Sequence, residues 1–166
     1  MKALFKTNDE IAPVVLRLVL AGVMFPHGAQ KVLGWFGGYG FSGTMNFFTQ
    51  TRHIPAPFAV LAIVAEFLGP LALVFGLLSR VAAFGIGTTI TVAALTVGLP
   101  NGFFMNWFGN QKGEGIEYNI LMAGIAVAIV IQGGGKWAVD SLIYRKLAGH
   151  PSARNPAPAQ ALQASH

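Results

Sequence analysis

Glu66 lies in the middle of an apolar run that extends from Pro57 to Leu78. A helix needs about 20 apolar residues to cross a bilayer core of about 30 Å, so this run is long enough to span a membrane with Glu66 near the midplane. An acidic side chain at the centre of a membrane helix costs about 2.5 to 3.5 kcal/mol even on a lenient insertion scale. We therefore expect Glu66 to be paired, protonated or functional.

The composition is that of a polytopic membrane protein. Of the 166 residues, 54% are hydrophobic and 10% are charged, whereas a soluble domain carries about 25% charged residues. The net charge of +5 comes from basic residues that are scattered singly along the chain, a pattern that argues against nucleic-acid binding. The expected partner is the lipid bilayer.

The sequence contains no cysteine, which excludes disulfides, thiolate nucleophiles, thiolate metal sites and iron–sulfur clusters held by cysteine. Only one histidine falls within the predicted spans, and it cannot supply the paired axial ligands of a typical membrane cytochrome. We therefore expect neither haem nor a metal site. Any redox role must use a bound small molecule or a partner protein.

Four apolar segments are each long enough to cross a membrane, which predicts an all-α fold, a membrane four-helix bundle. They comprise residues 11–33, 56–78, 81–99 and 116–132. We expect a single transmembrane domain over residues 1–147. The remainder, residues 148–166, contains little that could be buried and is predicted to be a disordered tail.

The distribution of basic residues predicts the orientation. An even number of spans places both termini on one side, together with the short turn before the third span. Seven basic residues fall on that side and three on the other, which predicts cytoplasmic termini. The seven are Lys2, Lys6, Arg80, Lys136, Arg145, Lys146 and Arg154, and the three are Lys31, Arg52 and Lys112.

Aromatic residues are concentrated in the two loops predicted to lie on the opposite side. The first loop combines glycines with Trp35 and Tyr39, and Ser42 is expected to cap a short interfacial helix before the second span. The loop between the third and fourth spans adds Trp107. Two interpretations remain open: the rings anchor these loops in the membrane interface, or they form a lid over a pocket and bind a flat ligand.

The ionisable residues within the spans are the candidate catalytic group. His27 and Lys31 are four residues apart and share a helix face. At 1.5 Å per residue, His27 lies about 6 Å in depth from Glu66, so we expect His27 to be the partner of Glu66. Two roles remain open for these three residues: proton exchange, or a satisfied polar network that holds the bundle together.

A further pair is predicted at the outer end of the bundle. Glu117 opens the fourth span near the depth of Lys31, which predicts an ion pair between the two. Asn119 follows two residues later. Glu117 and Asn119 are therefore candidate ligand-binding residues beside the aromatic loops.

At the cytoplasmic end, Arg80 and Asp140 are predicted to form a structural ion pair. Arg17 interrupts the first span. We expect its side chain either to extend to the cytoplasmic surface or to join the pair formed by Arg80 and Asp140.

Four pieces of the sequence, in order, resemble the DoxX family. They are FPHGAQKVLG from Phe25 to Gly34, EFLGPLALVFGLLSR from Glu66 to Arg80, the start of the fourth span from Glu117 to Asn119, and GGGKWAVD from Gly133 to Asp140. The resemblance covers nearly the whole chain before the tail. It implies a four-helix protein of the bacterial inner membrane, in a family associated with quinone-linked sulfur oxidation or with assemblies that handle oxidative stress. The family pattern falls on His27, Lys31, Glu66, Arg80, Glu117 and Asp140.

Three functions are consistent with these features. The preferred one is a quinone-linked redox subunit of a membrane oxidoreductase, in which the quinone lies among the outer aromatic residues and Glu66 with His27 exchanges its protons. The second is a non-catalytic anchor or assembly partner for a soluble oxidoreductase. The third, a carrier of small solutes or protons, is disfavoured because four spans without an internal repeat would require a homo-oligomer.

Overall fold

The computed structural model describes residues 2–148, and the regular secondary structure of this part of the chain is all helical, as predicted, with no β-strand. It contains six α-helices. They are α1 (Ala12–Leu33), α2 (Gly40–Asn46), α3 (Ala56–Phe75), α4 (Ser79–Ala93), α5 (Glu117–Gln132) and α6 (Val139–Ala148). Ala148 ends α6, and the rest of the predicted tail lies outside the described residues.

Three helical segments are long and apolar enough to cross a membrane, namely α1, α3 and the continuous segment Ser79–Asn101, which extends α4 by a π-helical turn and a 3-10 turn. The fourth predicted span, α5, has only 16 residues and is therefore about 24 Å long. Together, α1, α3, α4 and α5 nonetheless form the predicted four-helix bundle. The core comprises the large side chains Leu20, Met24, Leu73, Ile86, Ile90, Met122 and Ile129, with three alanines between them.

The turn between α3 and α4 begins earlier than the hydrophobic pattern predicts. Gly76 adopts a left-handed conformation with φ of 64° and ends α3. The amide of Leu77 donates to the carbonyl of Ala72 over 2.9 Å, the 6→1 hydrogen bond that closes helices at a left-handed glycine. The predicted span 56–78 is therefore three residues too long, and α4 begins at Ser79, two residues before the predicted start of the third span.

The predicted ion pair between Arg80 and Asp140 is wrong. Asp140 is buried, and its two carboxylate oxygens accept the amides of Leu78 at 2.6 Å and Ser79 at 2.8 Å. It therefore caps the N-terminus of α4, where an anion is favoured by unpaired amides and the helix dipole. Arg80 instead donates to the carbonyl oxygens of Lys6 and Val130.

Arg17 does not extend to the surface, because its side chain is buried with only 4% of the residue exposed. Its NH1 group donates to the carbonyl of Leu73 at 2.7 Å and to that of Val74 at 2.5 Å. These carbonyls belong to the last turn of α3, and the carbonyl of Leu73 also accepts the amide of Gly76 at 3.1 Å. Arg17 thus ties α1 to the end of α3.

Candidate functional site

The site is built where α1 crosses α3. Pro70 has no amide N–H, so the carbonyl of Glu66 lacks its normal helical donor four residues later. Gly28 of α1 packs directly against this carbonyl: a Cβ atom on Gly28 would lie 2.1 Å from the oxygen of Glu66 and 2.7 Å from Cα of Phe67. The two backbones can therefore approach this closely only because residue 28 is glycine.

One turn beyond this crossing, Lys31 forms an ion pair with Glu66, through Nζ and Oε2. Glu66 is 6% exposed, and the Lys31 side chain is more exposed than that of Glu66. Within residues 2–148 this is the single pair of opposite charges within 4.0 Å. The prediction that His27 is the partner of Glu66 is therefore wrong, and so is the prediction of a pair between Lys31 and Glu117.

His27 lies beside the pair without joining it. Its ring faces Tyr118 of α5, with ring centroids 6.4 Å apart. The charges of Lys31 and Glu66 are both close enough to act on His27, and the charge of Glu66 also acts on Tyr118. The hydroxyl of Tyr118 lies 3.8 Å from the sulfur of Met24. Lys31 and Glu66 are thus in direct contact, whereas His27 faces Tyr118, and the shared role predicted for the three residues stays a prediction.

A cavity of about 230 Å³ lies next to Lys31, between the end of α1 and α2. Its lining combines polar side chains with aromatic rings: Gln30, Lys31, Tyr39, Thr44, Phe47 and Phe48. Gly37 and Gly38 complete the wall. The side chain of Gln30 donates to the carbonyl of Phe36 at 3.2 Å and so fixes the connecting loop on the end of α1.

The loop can close on α1 only because Gly38 lacks a side chain, since a Cβ atom there would lie 2.2 Å from the carbonyl oxygen of Gln30. The chain then forms α2 and a π-helical turn, Phe47–Thr51, which confirms the predicted short helix before the second span. The prediction that Ser42 caps this helix is wrong, because α2 begins at Gly40 and Ser42 lies inside it. This segment contributes Thr44, Phe47 and Phe48 to the cavity. It therefore covers the cavity beside the ion pair.

The other predicted ligand-binding residues are dispersed. Tyr39 lines the Lys31 cavity, whereas Trp35 and Trp107 do not and are exposed. Glu117 accepts the amide of Met105 at 3.2 Å, and the Asn119 amide group donates to the carbonyl of Ile90 at 3.4 Å. Glu117 and Asn119 thus hold α5 to the preceding loop and to α4. Their predicted role in ligand binding stays a prediction.

Chemically, the arrangement joins a buried charged pair to an aromatic cavity. Lys31 lines the cavity and Glu66 does not, so the ammonium group is the member of the pair that a ligand would meet. An ammonium group supplies up to three hydrogen-bond donors. The cavity is therefore suited to a flat ligand with oxygen acceptors, held against a group that can give up a proton.

Several contributors were not identified as site residues from the sequence, among them Gly28, Gln30, Tyr118 and the cavity-lining Phe48. Gly28 and Gln30 fall inside the FPHGAQKVLG string, and Tyr118 lies between Glu117 and Asn119, so each belonged to a piece already singled out. The signal that could have identified Gly28 is the missing amide of Pro70, because a free backbone carbonyl near the midplane needs a close neighbour.

The sequence matches the DoxX family over residues 12–99, a stretch that contains Lys31, Glu66 and the cavity. A protein of Haemophilus influenzae named only as uncharacterized is 26% identical over 144 residues, covering 81% of this chain and 85% of the relative. The inner membrane protein YqjF of Escherichia coli is 29% identical over 142 residues, covering 85% and 98%. A Bacillus subtilis protein named "Putative oxidoreductase CatD" is 26% identical over 136 residues, covering 82% and 90%. No solved structure matches the chain.

Proposed function

The chain belongs to the DoxX family of membrane proteins, and we propose that it is a quinone-linked redox subunit of an oxidoreductase or oxidative-stress complex in the bacterial inner membrane. In this proposal a quinone ring occupies the cavity beside Lys31 and exchanges protons with the pair formed by Lys31 and Glu66. The names of two relatives support a role in membrane redox chemistry, since one is printed as "Inner membrane protein YqjF" and the other as "Putative oxidoreductase CatD".

The observation that carries the proposal is that Lys31, one member of a buried ion pair, lines a cavity large enough to hold a single ring. Pockets that enclose a drug-sized ligand have volumes of about 300 to 1,000 Å³, whereas this cavity has about 230 Å³. It would therefore hold a ring but leave a long tail outside. Phe48 offers an aromatic face, and Lys31 and Gln30 offer N–H donors for the two ring oxygens.

A quinone takes up two electrons and two protons to become a quinol. We assign the electrons to a partner oxidoreductase. Lys31 would donate one proton to a ring oxygen and become a neutral amine. The Glu66 carboxylate would then take up a proton from water and pass it to that amine, which restores the ion pair, and a second cycle would supply the second proton. General acid–base transfer requires the groups to lie within hydrogen-bond reach, a requirement that the contact between Lys31 and Glu66 meets.

The binding step can be tested with two phenylalanines of the same segment. Phe48 lines the cavity, whereas Phe41 of α2 does not. We expect Phe48→Ala to weaken binding of a short-tailed quinone analogue to the purified protein by up to about tenfold, because an aromatic contact is worth about 0.5 to 1.5 kcal/mol. Phe41→Ala should leave the dissociation constant unchanged. Equal effects of the two substitutions would contradict the assignment of the cavity.

A second function, a membrane anchor for a soluble oxidoreductase, is favoured by the loop between α4 and α5. Trp107 and Phe108 are 80% and 90% exposed, while Glu114 accepts the amide of Asn106 at 2.7 Å and orders the loop beneath them. If this loop binds the partner, Trp107→Ala should abolish partner-dependent quinone reduction in membranes while Phe48→Ala has no effect. The opposite pattern would favour the quinone site.

We further propose that both termini are cytoplasmic, on the basis of the excess of basic residues on that side. A reporter fused after His166 should then be active only in its cytoplasmic form. One inserted beside Gly109, where an added side chain meets no other atom within 4 Å, should be active only in its periplasmic form. The reversed pattern of reporter activity would overturn the orientation.

A further inference from the structure

An open apolar groove runs along the outer surface between α3 and α4, and it shares no lining residue with the Lys31 cavity. Its walls contain small residues such as Ala62, Ala65 and Ala72 on α3 and Gly85 on α4, bordered by larger ones such as Phe58 and Val92. The groove lies on the part of the bundle that a membrane would surround. The groove is therefore accessible to lipids, to other molecules dissolved in the bilayer and to other membrane helices.

The groove is long enough for one acyl chain. It has a volume of about 600 Å³ and follows α3 from Phe58 to Ala72, a length of about 21 Å at 1.5 Å per residue. Its length exceeds half of a bilayer core of about 30 Å.

A polar hollow adjoins the groove at the start of α3. The two share Ile54, and the hollow is lined by Thr49, Gln50 and His53 among others. Polar side chains at one end of an apolar channel match a ligand with a polar head and an apolar tail.

The charged residues that lie near the hollow in the sequence are all basic. No acidic residue occurs from residue 32 to residue 65, and Arg52 and His53 are the basic residues of that stretch. The guanidinium of Arg52 lies 5.4 Å from the ring centre of Phe47, and among the described residues it has no carboxylate within 4.0 Å. Arg52 does not line the hollow, but it precedes the lining residue His53 in the chain, where its positive charge attracts an anion, which at a membrane surface is a lipid phosphate.

We propose that the groove and the hollow together bind one anionic phospholipid, with an acyl chain between α3 and α4 and the head group at Gln50, Arg52 and His53. This lipid site is separate from the proposed quinone cavity, and either site can exist without the other. Bound there, the lipid would cover the apolar side chains that α3 and α4 expose along the groove.

The test measures lipid retention by native mass spectrometry of the purified protein, incubated with equal amounts of phosphatidylglycerol and phosphatidylcholine that carry the same acyl chains. We expect wild type to retain phosphatidylglycerol about fivefold more than phosphatidylcholine. Arg52→Gln should remove this preference. Lys112→Gln, which neutralises a basic residue of the other exposed loop, should leave it unchanged.

The acyl-chain position is tested separately. Ala62→Phe should fill the groove and lower retention of both lipids, whereas Ala128→Phe on α5, outside the groove, should not. If Ala62→Phe fails to fold, Ala72→Phe provides the same test lower in the groove. Equal retention of the two lipids by wild type would overturn the proposal. So would retention that is insensitive to the groove variants, or a dimer that Ala62→Phe dissociates, which would show that a second copy occupies the groove.

Discussion

Gly28→Ala should be among the most damaging single substitutions in the bundle. The added Cβ would lie 2.1 Å from the carbonyl oxygen of Glu66 and 2.6 Å from its carbonyl carbon, so no side-chain rotation can relieve the contact. The helices must separate instead. Overpacking a tight core costs about 1 to 3 kcal/mol, and we expect the upper end of this range because both partners are backbone. The thermal midpoint of the detergent-solubilised protein should fall by several degrees.

Gly22→Ala is the matched control, because it lies on the same helix and an added Cβ there meets no atom within 4 Å. Alanine has a higher helix propensity than glycine by up to about 1 kcal/mol in soluble hosts. Gly22→Ala should therefore be neutral or stabilising. A Gly28→Ala protein that unfolds at the same temperature as Gly22→Ala would show that α1 and α3 do not touch at this point.

The helices of the bundle could be predicted because each coincides with a run of apolar residues in the sequence. The ends of the helices were less predictable. Gly76 ends α3 inside an apolar run, and hydropathy does not distinguish a left-handed glycine from any other apolar residue. The 16 residues of α5 were predicted correctly as a helix for the same reason that the other spans were, since their apolar pattern is uninterrupted.

The partner of Glu66 could not be predicted, because sequence gives depth along a helix but not rotation about its axis. His27 lies closer to Glu66 in depth, yet its ring is beside Tyr118. Lys31 lies one turn farther out, and its long side chain reaches back to the carboxylate. The length of the Lys31 side chain and the rotation of α1 about its axis together determine which residue pairs with Glu66.

Other polar contacts could not be predicted because they are made to the backbone and not to side chains. Arg17 and Asp140 were expected to interact with other side chains or with the surface, but both bind the backbone at the turn from α3 to α4. Which carbonyls and amides are unpaired depends on where helices end. A prediction that misplaces the end of α3 by three residues therefore also misassigns the groups that bind there.

The largest expected effect on stability comes from removing Lys31 alone. Lys31→Met leaves the Glu66 carboxylate, 6% exposed, without a cation. Breaking a buried pair from one side costs about 3 to 5 kcal/mol. Glu66→Gln should be milder, because the amide keeps the shape of the side chain and the freed ammonium can extend toward water through the partly exposed Lys31 side chain.

Replacing both partners separates structure from proton exchange. In Lys31→Met/Glu66→Met no charge is buried at this position, and apolar replacements of a buried ion pair are often neutral or stabilising. We expect the double variant to recover most of the thermal midpoint lost in Lys31→Met. If the pair exchanges protons, quinone reduction in membranes should remain absent in the double variant and in Glu66→Gln, because neither methionine nor an amide can transfer a proton at accessible pH. A stable Glu66→Gln protein with full activity would instead make the pair a structural link between α1 and α3, and the anchor function would then be favoured.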